Sequence, residues 1–262
     1  MKTVTEFKKM KSGGEKISVV TCYDFWSAQI IDETNVDSVL VGDSASMVMH
    51  GFESTVNAEI EMMRYHVAAV KRGLKNKFLI ADLPFLEHRK GFEQLISSID
   101  KLMKAGAQAL KIEGAEGNIE MINRLTSTGI PVMGHLGLTP QSVHQFGGFK
   151  LQGREEAASK KIFEDALQLQ QAGCFSIVLE MIPSALAKKI TDELEIPTIG
   201  IGAGSDTDGQ VLVLQDLLGM NKNFNPKFVR KYLSGFELIK NALNNFSSDI
   251  KENKFPTKEE SY

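Results

Sequence analysis

A chain of 262 residues with 42% apolar and 24% charged side chains is long enough for one large α/β domain and has the composition of an ordinary globular protein. Its net charge of -3 provides no overall basic field to gather phosphate backbones, which argues against a nucleic-acid partner. No segment approaches the ~20 apolar residues of a membrane span, and the opening MKTVTEFKKMKSGGEKI lacks a signal-type apolar stretch, so the expectation is a cytoplasmic protein with no membrane partner.

In chain order, residues 1–14 read as a helical extension. Eight strand-like runs follow: 17–22, 38–43, 77–82, 108–114, 130–135, 175–180, 196–202 and 210–215. Helical patterns separate most of them, over 24–34, 57–72, 91–105, 118–127, 154–172 and 184–194, and a last helix is expected over 226–243 with Pro226 in its first turn. Gly106 marks the end of the 91–105 helix. The alternating βα pattern with eight strands predicts a single-domain (β/α)8 TIM barrel over 1–262, with a C-terminal helix and tail over 226–262; an open, doubly wound sheet is the other architecture the pattern allows. The polar tail after Asn244 reads by itself as a frayed end. Cys22 and Cys174 lie in or beside strand runs without CxxC spacing and are expected to be buried, reduced thiols.

The strand ends carry the chemistry. Asp43, Asp82, Glu113 and Glu180 close the second, third, fourth and sixth runs, and in a barrel those ends converge on one rim. Alternation places Ala109, Lys111 and Glu113 on one face of the fourth run and Ser176, Val178 and Glu180 on one face of the sixth, and it groups Asp43 with Val39 and Val41. Two unit charges 4 Å apart repel by about 4 kcal/mol at an effective dielectric of 20, more than one lysine offsets among four acids. Either some of the acids hold protons or a hard divalent cation such as Mg²⁺ lies among them. His135 ends the fifth run on the same rim, while His50, His66, His88 and His144 have weaker claims. Gly200, Gly202 and Gly204 in IGIGAGSDTDG could bind phosphate through backbone N–H groups, or could serve close backbone packing.

Read together, TCYD at 21, VGDSASM at 41, ADLPF at 81, LKIEG at 110, GHLGLTPQSVHQFGG at 134, VLEMIP at 178 and IGIGAGSDTDGQVLV at 199 resemble the ketopantoate hydroxymethyltransferase family along nearly the whole chain. The resemblance implies a (β/α)8 barrel that transfers a one-carbon unit from 5,10-methylenetetrahydrofolate to 3-methyl-2-oxobutanoate, giving 2-dehydropantoate for pantothenate biosynthesis. It implies one Mg²⁺ per subunit on Asp43, Asp82 and Glu113, the last directly or through water. Contacts to the oxo acid fall on Asp43, Ser44, Asp82 and Lys111, a site-lining histidine on His135 and the proton acceptor on Glu180. The likeness also implies a homodecamer and a docked rather than frayed C-terminal segment. DSASM replaces the family's usual DSLGM, Ser205 stands where asparagine is common, and Glu260 where histidine is common.

Two other readings follow from the residues. A Mg²⁺ barrel of the isocitrate lyase and phosphoenolpyruvate mutase kind would share the strand-end acids but use a cysteine-bearing loop; a ligand-binding barrel built on the GIGAG turn would need no divalent metal. The loop from Ser44 to Val56 is the candidate to close over the site.

Overall fold

The computed structural model describes residues 2–262. The chain parts into two compact units, one ending at Leu212 and the other spanning Val213–Tyr262. In the first, eight parallel strands close into a barrel in sequence order. They are β1 (Ile17–Thr21), β2 (Ser38–Val41), β3 (Phe78–Asp82), β4 (Ala109–Glu113), β5 (Val132–Gly137), β6 (Ser176–Glu180), β7 (Thr198–Ile201) and β8 (Gly209–Leu212). The β1–β8 pairing, with Ile17 opposite Gly209, closes the ring and excludes the open sheet.

Helices α1 (Val4–Ser12), α2 (Phe25–Asp32), α3 (Ala45–Val48), α4 (Ile60–Gly73), α5 (Phe92–Ala105), α6 (Ile119–Ser127), α7 (Val143–Phe146), α8 (Glu156–Gln171) and α9 (Ser184–Glu193) accompany the strands. Local chemistry explains their limits. Asp24 caps α2 by accepting the Ser27 N–H at 2.9 Å, which uses one of the donors a helix start leaves unpaired. Gly106, at φ 118, ends α5 in the left-handed conformation that a glycine adopts at little cost.

Inward-facing residues such as Val19, Leu40, Ile80, Ala109, Met133 and Val178 form one buried cluster, and Phe7 and Met10 of α1 belong to it. The extension at the start of the chain is therefore a plug. Phe7 lies 5.6 Å from both Phe78 and Phe175, at the N-terminal ends of β3 and β6. With that end shut by aromatic packing, the opposite rim is left for polar groups.

The second unit contains α10 (Leu214–Leu217) and α11 (Gly235–Lys251). A helix over 226–243 is not what forms. The N–H groups of Tyr232, Gly235 and Phe236 donate to the carbonyls of Leu217, Leu218 and Gly219, so the backbone before Gly235 is committed to that turn and cannot make i→i-4 bonds. Pro226 instead opens a turn closed by the Val229 N–H. Helix α11 starts later and runs further, and beyond it the exposed tail returns Phe255 to within 5.7 Å of Phe246.

Candidate active site

Register brings the charged residues together at the C-terminal rim. Asp82 pairs with Lys111 across β3 and β4, Glu113 with His135 across β4 and β5, and Gly137 with Glu180 across β5 and β6. The inward alternation expected for β4 and β6 holds, since Ala109 and Val178 face the core below Glu113 and Glu180. The grouping of Asp43 with Val39 and Val41 does not. Strand β2 stops at Val41, and Leu40, not Val39 or Val41, faces the barrel core. Asp43 reaches the rim because Gly42 lies beyond the end of the pleat, where strand periodicity no longer dictates direction.

The resulting cluster is dense and dry. Lys111 Nζ lies 3.1 Å from Asp82 Oδ1, 3.5 Å from Glu113 Oε1 and 3.2 Å from His135 Nδ1. His135 Nδ1 is 3.3 Å from Glu113 Oε1, and its Nε2 is 3.2 Å from Glu180 Oε2. Asp43 donates its backbone N–H to Asp82 Oδ2 at 2.9 Å. Charge proximity is not alignment, however: Asp82 Oδ1, Glu113 Oε1 and His135 Nε2 are buried with no hydrogen-bond partner. Native interiors align nearly all such atoms, so three in one cluster, held by charge rather than by aligned hydrogen bonds, set this rim apart from the rest of the core.

Electrostatics points the same way. Burial, with Asp82 and Glu113 close by, pushes the Asp43 carboxyl well above the ordinary range. Burial also raises Asp82, although Lys111 opposes it. Burial alone would raise Glu113, but Lys111 and His135 outweigh it and hold that carboxyl low. Lys111 is held firmly protonated because its three acidic neighbours overcome desolvation. His135 is pushed up to about 9: burial and Lys111 pull it down, and Glu113 and Glu180 more than reverse them.

Two residues that sequence reasoning passed over complete the rim. Tyr23, just past β1, places its hydroxyl 2.8 Å from Ser44 Oγ, and burial raises its pKa so that the phenol stays neutral. Gln141, in the turn Pro140–Ser142 after β5, donates from Nε2 to Asp43 Oδ2 at 2.8 Å. Both lie inside the TCYD and GHLGLTPQS stretches, and a buried amide or phenol at a strand end was the available signal.

The loop after β2 is tied down. Ser46 donates to the carbonyls of Asp43 and Ser54 at 2.9 and 3.0 Å. His50 Nε2 meets His66 Nε2 at 2.8 Å, and His66 Nδ1 lies 2.6 Å from the Tyr23 carbonyl. In the GIGAG turn, packing accounts for two glycines: a Cβ on Gly200 would come 2.7 Å from Thr207 Oγ1, and one on Gly204 2.5 Å from Ser184 Cβ. Next to Glu180, Gly137 at φ 94 allows the close approach of the Glu180 carbonyl, which a Cβ would meet at 2.1 Å. Met181, at φ 47, holds the left-handed region without being glycine, the kind of local strain that clusters at functional sites. Cys22 and Cys174 are free and buried; Cys22 is the first residue after β1, next to Tyr23, and Cys174 directly precedes the β6 region.

The sequence profile of the ketopantoate hydroxymethyltransferase family matches residues 1–258. The chain belongs to that family. Membership makes it an enzyme, a hydroxymethyltransferase. Its relatives include a 3-methyl-2-oxobutanoate hydroxymethyltransferase of Bdellovibrio bacteriovorus, 57% identical over 262 residues and covering 100% of both chains. Another of that name, from Coxiella burnetii, is 54% identical over 252 residues, covering 96% of this chain and 95% of the relative. Among solved structures, the fold resembles a putative phosphonomutase from Burkholderia cenocepacia J2315, with a TM-score of 0.65 at 14% identity, covering 84% of this chain and 96% of that one. It also resembles a phosphonopyruvate hydrolase complexed with oxalate and Mg²⁺, with a TM-score of 0.64 at 10% identity, covering 99% of this chain and 93% of that one. No helix among the described residues is long and apolar enough to cross a membrane.

Proposed function

We propose that the enzyme transfers a hydroxymethyl unit from 5,10-methylenetetrahydrofolate to 3-methyl-2-oxobutanoate, giving 2-dehydropantoate for pantothenate and coenzyme A synthesis. The observation that carries this reading is the rim cluster of Asp43, Asp82, Lys111, Glu113, His135 and Glu180, with its buried unsatisfied oxygens, on a chain of this family.

A divalent cation fits the donor set. The donors are all carboxylate oxygens, and the crowding of buried Asp43 against Asp82 and Glu113, which raises its pKa, is what a hard cation relieves. Among the described residues no three His, Cys, Asp or Glu side chains already form a metal-binding group. Mg²⁺ commonly takes one or two carboxylates and keeps its waters. The proposed ligands are therefore Asp43 and Asp82 directly and Glu113 through water, with one ion per subunit. Bound there, Mg²⁺ would supply Lewis acidity for the charge that develops on the keto oxygen.

The protein groups do the rest. Lys111, protonated and buried, neutralises the substrate carboxylate, and Ser44, oriented by Tyr23, donates to it. Glu180 is the base: one oxygen takes the proton from C3 of the oxo acid as the C3–H electrons become available for the new bond. The methylene carbon is held by two folate nitrogens: C3 replaces one of them and water the other, so both carbon–nitrogen bonds break, the new carbon ends as CH2OH, and the C3 proton and one water proton end on the two nitrogens of the released tetrahydrofolate. His135 Nε2 lies 3.2 Å from Glu180 Oε2, so its charge, rather than an aligned hydrogen bond, attracts the base to that side of the rim. Incubating the enzyme with both substrates, with Mg²⁺ or with EDTA, tests the reading: 2-dehydropantoate is expected only with the metal, and no product in either tube would refute it.

The same proposal extends to a cytoplasmic homo-oligomer, a decamer as the family resemblance suggests. Trp26 and Ile30 on α2 are 62% and 59% exposed, and large apolar side chains left in water support association between copies. Light scattering that returned only a monomer would count against it.

A further inference from the structure

We propose that Gln141 is a positioning residue that aims the carboxylates of the rim. This rests on the reading of Asp43, Asp82 and Glu113 as metal ligands. Gln141 is only 6% exposed, and all three bonds it makes here run to acceptors. Its Nε2 donates to Asp43 Oδ2 at 2.8 Å and to the Leu83 carbonyl at 3.0 Å, and its backbone N–H donates to Glu113 Oε2 at 3.0 Å. Both side-chain partners are acceptors, so the amide has one workable orientation.

These bonds join four successive sectors of the rim. Asp43, Leu83 and Glu113 follow or end β2, β3 and β4, and Gln141 itself follows β5. The consequence lies in which oxygens are used. Gln141 occupies Oδ2 of Asp43 and Oε2 of Glu113, while the Asp43 N–H occupies Oδ2 of Asp82. The atoms left buried without a hydrogen-bond partner are the opposite ones, Asp82 Oδ1 and Glu113 Oε1. One oxygen of each acid is thus anchored to the scaffold, which fixes the carboxylate planes before any ligand arrives. Partners of this kind commonly set metal affinity by about 10- to 100-fold.

The test is Mn²⁺ titration followed by the electron-spin-resonance signal of the free ion, on wild type, Gln141→Met and Gln141→Asn. Methionine preserves length and the backbone N–H but removes the amide; asparagine keeps an amide one methylene too short to reach Asp43. The expected result is about 10- to 100-fold weaker Mn²⁺ binding in both variants, with turnover recovering as metal approaches saturation. Should Gln141→Met fail to fold, Gln141→Asn alone decides the matter. Unchanged affinity in a folded variant, even with a lowered Tm, would make Gln141 a structural clamp and overturn the proposal while leaving the ligand reading intact. Wild-type protein that binds no Mn²⁺ would overturn both.

Discussion

The two ends of the barrel are made by the same strands and obey opposite rules. At the N-terminal end, Phe7, Phe78 and Phe175 pack ring against ring, and α1 excludes water. At the C-terminal end, beyond the core residues Ile80, Ala109 and Val178, β3, β4 and β6 end inward in Asp82, Glu113 and Glu180, and buried oxygens of Asp82 and Glu113 lack aligned hydrogen bonds. The contrast shows a division of labour. One end supplies packing free energy, and the other holds charges in an arrangement that is unfavourable until something binds, which is the condition for selective binding.

Breaking each end separately sharpens the comparison. The largest effect is expected from Glu180→Gln, which should lower kcat by about 10²- to 10⁴-fold. C3 hydrogen exchange with solvent deuterium should disappear while metal and oxo acid still bind; normal exchange would rule out the assigned role. At the other end, Phe7→Ala should cost about 3–5 kcal/mol in denaturant unfolding, yet leave turnover per folded molecule near wild type. A selective loss of kcat there would mean that the two ends are not independent. Asp82→Ala should abolish metal-dependent binding of the oxo acid in calorimetry, and should also lower stability because the buried Lys111 ammonium and the Asp43 N–H each lose a partner. Tyr23→Phe removes the hydroxyl facing Ser44, and a rise in the KM for the oxo acid equivalent to about 1 kcal/mol is expected, with little change in kcat.

The smallest effect lies outside the barrel, at Asp216, where the same physics acts without a binding site. Burial raises its carboxyl to about 6, with Lys231 offsetting only part of the shift. The folded state therefore binds this proton more tightly than the unfolded chain, so its contribution to stability is greatest at low pH and is lost as pH rises through about 6. Asp216→Asn should be more stable than wild type at pH 8, by about 1 kcal/mol after allowing for solvent screening, and the gap should shrink towards pH 5. An equal gap at both pH values would show that the carboxyl does not titrate in this way.

Much of the site was legible before any coordinates. Alternation along β4 and β6 announced that Lys111, Glu113 and Glu180 point inward, because a strand inside a closed sheet has only two faces. The same rule misled at Asp43, where the strand ends two residues earlier, and a proline suited to a first helical turn misled at Pro226, where backbone bonds to Leu217–Gly219 forbid the expected helix. Gln141 and Tyr23 were hidden for a different reason. Nothing local distinguishes a glutamine that solvates itself from one that clamps two acids contributed by chain segments far away in sequence.

By itself, then, the order of residues determined the number and sequence of strands, the barrel they close and the acids at their ends, since these follow from short-range periodicity and from motifs. Only the tertiary structure decided which carboxylate oxygens are anchored and which are left unsatisfied, that α1 seals the far end, and where α11 begins. Those outcomes depend on contacts between residues distant in the chain, and such contacts are settled by packing and backbone hydrogen bonding across the whole fold.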